Sequence, residues 1–230
     1  MNKAEGKCEY IAKLLETLPI LHGPSDVPFL NGLYFFYETG EVSNHAPKGR
    51  IVRIGNHPRS QDGLKKRLQM HYSGNKNSSV FRKFLGGAIM RKQNPNNPCL
   101  LPRPGKGHWE KQNLHTCEKC KPIEKVVNSL LRNNFWFRCL EIKDRSLRNS
   151  LEKKLVATIS LCPLCKPSRS WLGNLAYSEN VRKSGLWNSD FVFENSYLIN
   201  DHDLKTLSKL VAATMSNFNT GIVFEGIRPC

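Results

Sequence analysis

Strand-type sequence is scarce in this chain, and its placement constrains the fold more than any other feature. Three short runs combine aromatic and β-branched residues: "NGLYFFYETGE" at 31–41, "RIVRIG" at 50–55 and "NFWFRCLEI" at 134–142. A polar turn holding Asn44, Pro47 and Gly49 separates the first two and predicts that they pair as neighbours. Elsewhere apolar residues recur at helical spacing. Ile11, Leu14, Leu15 and Leu18 mark a helix over 4–17, ended by the Pro- and Gly-rich "LHGPSDVP"; Leu64 and Leu68 mark a second over 62–72, after the capping-type Ser60 and Asp62. "SSVFRKFLGGAIM" and "IEKVVNSLLRN" read as two more, and Leu147, Leu151, Leu155 and Ile159 form one stripe of a helix through "RSLRNSLEKKLVATIS". A last helix carries Leu204, Leu207, Val211 and Met215, with Asp201 as its expected N-cap. The order strand, strand, helix, helix, insertion, helix, strand, helix implies an α+β fold in which helices wrap a small mixed sheet.

Residues 91–121 are rich in Pro, Gly, Asn and Lys, cannot form one regular element, and are expected as a surface insertion. At 230 residues the chain suits a single elaborated domain, residues 1–230. No apolar run is long enough for a membrane span, and the charged N-terminus does not read as a secretory signal. A cytoplasmic protein with no membrane partner is expected.

The formal charge of +16 attracts polyanions through counterion release, which points to nucleic acid as partner; a solvated basic surface is the plain alternative. Arg67 and His71, four apart on a predicted helix, share a face. Arg offers a fork of donors to phosphate oxygens and His exchanges a proton near neutral pH. Their bland alternative is a solvated helix face beside Lys65 and Lys66.

Gly32-Leu33-Tyr34 on the first strand, Arg53-Ile54-Gly55 on the second, and the Arg/His helix that follows resemble the GIY-YIG nuclease superfamily. "RIGNH", "SSVFRKFLGGA", "SWLG" and "SGLWN" are similar to a bacterial, restriction-endonuclease-like subgroup. The resemblance implies a mainly antiparallel sheet flanked by helices, a catalytic core over 30–160 and a C-terminal extension over 162–230. It also implies a DNA endonuclease using Mg²⁺, with Arg67 on the phosphate, Glu152 as metal ligand, and Tyr34 aimed at the attacking water. The second tripeptide departs from the family pattern by carrying Arg53 where a tyrosine is usual, with His57 or His71 to share the missing role. The family Asn has Asn174 as nearest match, with Ser170 or Asn180 as substitutes. Cutting both strands from a single site would favour a homodimer on DNA. The rival to an enzyme is a zinc-stapled nucleic-acid-binding module that has lost catalysis, a reading suggested by Arg53. For Glu152 alone the bland alternative is a surface pair with Arg148.

Two C-x-x-C knuckles, Cys117/Cys120 and Cys162/Cys165, supply four thiolates for a structural Zn²⁺ site with no open position, with His108, His115 or Cys99 as replacement for one ligand. Reduced thiols or a redox pair are the alternatives. Trp109, Trp136, Trp171 and Trp187 are expected mainly as core residues.

Overall fold

The computed structural model describes residues 3–57, 63–100, 109–110 and 118–221. Three strands, β1 (Gly32–Glu38), β2 (Ile51–Gly55) and β3 (Phe135–Glu141), form one antiparallel sheet in the order β2-β1-β3. Among the described residues seven α-helices surround it: α1 (Lys3–Leu15), α2 (Gly63–Ser73), α3 (Val80–Gln93), α4 (Lys121–Asn134), α5 (Arg145–Leu161), α6 (Glu179–Ser184) and α7 (Asp201–Gly221). The α+β class and the neighbouring pair β1/β2 agree with the reading of the sequence.

The pleat of β1 divides the core in two. Tyr34 and Phe36 point to one face, where they meet Leu64 and Leu68 of α2, Phe81 and Leu85 of α3, and Val127 and Leu131 of α4. Leu33, Phe35 and Tyr37 point to the other, against Ile11 and Leu15 of α1, Leu151 and Leu155 of α5, and Leu207 and Val211 of α7. Both faces are covered, so "LYFFY" needs no polar alternation. A sheet of only three strands draws its stability from these two helical layers. Phe36 shows the scale: its ring contacts those of Tyr34, His71, Tyr72, Phe81, Phe135 and Phe137, and truncating such a residue typically costs about 3–5 kcal/mol.

Both sheet edges are closed. Leu21 exchanges backbone hydrogen bonds with Phe137 on the β3 side. On the β2 side Trp187 N–H donates to Val52 O at 2.6 Å, and the Asn188 side-chain amide both accepts from Ile54 N–H at 3.1 Å and donates to Ile54 O at 2.8 Å. One side chain thereby imitates the peptide group of a neighbouring strand.

One expectation is corrected, at α7. Within 91–121, of which residues 91–100, 109–110 and 118–121 are described, Trp109 is fully buried against Gly86 of α3 and donates its indole N–H to Lys83 O, while Glu110 pairs with Arg91. The N-cap of α7 is Asn200 rather than Asp201: Asp203 N–H donates to Asn200 Oδ1 and Asn200 N–H donates to Asp203 Oδ2, a reciprocal capping box. Trp171 and Trp187 are buried as expected of core residues, whereas Trp136 is partly exposed and stacks on Tyr37 with ring centroids 4.1 Å apart.

Candidate active site

A cleft of about 310 Å³ opens where β1 and β2 meet the flank of α5. Tyr34 and Arg53 reach it from the sheet, Arg67 from α2 and Glu152 from α5; Asn56 and residues 188–191 complete the wall. The register explains the two tripeptide glycines. Tyr34 sits opposite Gly55, and a Cβ on Gly55 would lie 2.2 Å from the Tyr34 hydroxyl. A Cβ on Gly32 would lie 2.2 Å from Leu140 O of the paired strand. Glycine is therefore required at both ends for close approach rather than for flexibility.

Tyr34 is buried and forms the floor of the cleft. Its hydroxyl lies 2.8 Å from His71 Nε2, and His71 Nδ1 lies 2.7 Å from Ser79 Oγ. Ser79 is also the N-cap of α3, accepting from Arg82 N–H. The Arg82 guanidinium donates to His71 O and pairs with Glu124, so α2, α3 and α4 are locked around the imidazole. Burial, then the positive charges of Arg53, Arg67 and Arg82, push the His71 pKa well below its ordinary 6.5. His71 is thus neutral at physiological pH.

Glu152 sits one residue off the apolar stripe of α5, which turns it from the core toward the cleft. Burial raises its pKa from 4.5 to about 7, opposed by Arg53, by the Asn56 backbone N–H and by Arg67, and reinforced by the negative charge of Asp190. Arg148 donates to Ile142 O, so it is held at the start of α5 instead of forming a surface pair with Glu152. Arg53 donates to Trp187 O, stacks over the Phe81 ring at 5.0 Å, and leaves its buried Nε without an acceptor among the described residues. Arg67 donates to Ser78 O and likewise has a buried, unpartnered Nε.

Of the six residues expected at the site, Tyr34, Arg53, Arg67 and Glu152 line one cleft, and His71 touches it through the Tyr34 hydroxyl. His57 is buried beyond the end of β2 and is not among the lining residues. Asn174 bonds Ser168 O and Arg169 O, Ser170 contacts Ser168, and Asn180 donates to Ser189 O; none of the three lines the cleft. The Asn that does so from this region is Asn188, in the quoted "SGLWN". Asp190 and Asn56 were also missed. Asp190 belongs to a loop whose Phe191 and Phe193 adopt φ of 63° and 62°, a left-handed conformation costly for aromatic residues and invisible in the sequence.

The cysteines are arranged differently from the sequence expectation. Cys162 and Cys165 gather with Cys8 of α1 and His45 of the β1–β2 turn, their ligating atoms all within 4.8 Å of one another; this Cys/His group could hold a metal ion. Cys120 lies in the core on the opposite face of the sheet, and Cys117 falls outside the described residues, as do His108 and His115. Cys99 is buried on the same face as Cys120. Hydrogen bonding from Cys165 and Cys8 holds the Cys162 thiol far below its usual range.

The model of the GIY-YIG domain matches residues 11–217, and the chain belongs to this family, whose members are generally endonucleases. The match extends beyond the expected core of 30–160 on both sides. That span includes the residues after α5 that supply the cleft wall. No curated protein and no solved structure matches the chain. No described helix is long and apolar enough to cross a membrane.

Proposed function

We propose that the protein is a divalent-metal-dependent endonuclease hydrolysing phosphodiester bonds in DNA. The supporting observation is that two guanidinium groups, a phenol and a buried carboxylate, brought from four elements, face one cleft.

A divalent cation suits the residues present. Glu152 is buried at the cleft wall with its pKa raised to about 7, the signature of a carboxylate lacking a positive partner strong enough to offset desolvation, and Asp190 adds a second hard oxygen donor at the rim. Glu152, with Asp190, would hold Mg²⁺. The bound cation would supply Lewis-acid stabilisation of charge on the leaving oxygen.

Arg67 and Arg53 bind the scissile phosphate and neutralise charge as the new P–O bond forms and the leaving P–O bond breaks. With Nδ1–H donated to Ser79, the neutral His71 accepts the Tyr34 hydroxyl hydrogen bond at Nε2 over 2.8 Å. This leaves a Tyr34 Oη lone pair free to accept a hydrogen bond from the attacking water and aim it at phosphorus. Arg53 in the position usual for tyrosine adds a cation facing the phosphate, and so is compatible with catalysis. The net charge of +16 provides long-range attraction to the duplex, and a transient homodimer would bring two such clefts to opposite strands.

Supercoiled plasmid incubated with the protein and Mg²⁺ should be nicked. Arg67→Ala and Glu152→Gln should each abolish nicking while DNA binding persists. Nicking that survives either change rejects this site, and a parent protein that binds DNA without nicking it is a binding module.

A further inference from the structure

The Cys/His cluster shares no residue with the cleft and calls for its own account. Cys8 lies on the inward face of α1 with Ile11 and Leu15. His45 sits in the β1–β2 turn, where Ser43 and Ala46 bridge. Cys162 is the C-cap of α5, and Cys165 turns back on it through a backbone hydrogen bond from Cys165 N–H to Cys162 O. The four come from three separate places in the chain. Chance proximity of hydrophobic thiols does not explain an imidazole aimed among them.

The distances fit a shared ion. Cys8 Sγ to Cys165 Sγ is 3.2 Å, Cys165 Sγ to His45 Nε2 is 3.2 Å, and Cys162 Sγ to His45 Nε2 is 3.9 Å. A tetrahedron with Zn–S near 2.3 Å and Zn–N near 2.0 Å has edges of roughly 3.5–3.8 Å. The three cysteines are buried and not disulfide-bonded. Three soft thiolates from buried cysteines and one imidazole from the partly buried His45 make a four-ligand donor set that selects zinc and leaves no position for substrate.

We infer that Cys8, His45, Cys162 and Cys165 form a structural zinc site that clasps α1 and the β1–β2 turn to the chain leaving α5. The clasp fixes where that chain starts its path to the cleft. From Cys165 it runs to Trp187 and Asn188, which close the edge of β2, and to Asp190 at the rim. The inference does not depend on the nuclease reading.

The test is metal analysis of the full chain, purified without added metal and dialysed against EDTA to strip loosely held cations. Zinc should remain, and Cys8→Ala should lower its content by one equivalent per chain, whereas Cys120→Ala should leave that equivalent in place. Cobalt(II) then serves as a spectroscopic probe. Exchanged into the parent it should give thiolate charge-transfer and tetrahedral d–d bands, and His45→Cys should keep the metal but shift the d–d bands to lower energy as the nitrogen ligand becomes sulfur. This variant keeps the proposal testable even where Cys8→Ala fails to fold. Absence of tightly held zinc, a Cys8–Cys165 disulfide in its place, loss of the equivalent from Cys120→Ala alone, or bands unmoved by His45→Cys would each overturn the assignment.

Discussion

Replacing Glu152 with Gln should abolish cleavage and yet stabilise the metal-free protein at alkaline pH. Burial raises the folded-state pKa to about 7, whereas the unfolded chain releases the same proton near 4.5. Below pH 4.5 both states hold the proton and nothing is lost. As the pH climbs toward 7 the unfolded state gains by ionising and the folded state does not, so stability falls; above 7 the loss levels off. At about 1.4 kcal/mol per pH unit, the carboxylate costs the metal-free fold on the order of 3 kcal/mol at pH 8. Glutamine has the same shape, carries no charge, and can still accept from the Asn56 N–H. Urea unfolding in EDTA should therefore show the variant with a midpoint higher by about 1–3 M at pH 8, given slopes of about 1–3 kcal/mol per molar urea. The difference should shrink several-fold at pH 5. Mg²⁺ should restore the parent at pH 8 and leave the variant unmoved. An equal midpoint difference at both pH values, or a variant less stable at pH 8, would refute the account of Glu152.

His71 should act with the opposite sign. Its folded pKa lies below 6.5, so the unfolded chain takes up a proton first and stability falls as the pH drops from about 6.5, by at most about 1.4 kcal/mol per pH unit; His71→Asn should flatten that slope in urea titrations. Gly55→Ala should press on the Tyr34 hydroxyl, cutting plasmid nicking at least tenfold while gel-shift binding to DNA is retained. Gly86→Ala would place a Cβ 2.1 Å from the Trp109 ring, and overpacking of this kind should lower stability by about 1–3 kcal/mol in thermal or urea unfolding without touching the cleft.

Local patterns in the sequence revealed the elements they directly specify. The aromatic run of β1, the stripe of α5 and the four-residue spacing of Arg67 and His71 are each decided within a dozen residues, and each places its side chain where periodicity says it should. Glu152 was singled out by the family resemblance, and its position one residue off the α5 stripe is what turns it to the cleft. What stayed hidden depends on contacts distant in sequence. Asn188 reaches β2 across more than a hundred residues, and Asp190 is aimed by a strained loop that no propensity favours. Cys8 and His45 carry no C-x-x-C spacing; only the packing of α1 and the β1–β2 turn on the end of α5 brings them to Cys162 and Cys165. Trp109 is buried as its residue type suggests, but its socket, the bare face of Gly86, lies on a helix whose sequence gives no sign of it.

The amide of Asn188, lying along β2 in place of a strand, has a consequence for how the molecule comes into being. A nascent chain emerging from its N-terminus displays β1, β2, α2 and α5 well before Asn188 is made, and until then the outer rim of β2 offers unsatisfied peptide groups to any passing extended segment. Synthesis of the stretch through Asp190 both extinguishes that adhesive border and completes the cleft wall, so a product terminated before it would carry a sticky edge and an unfinished cleft at once.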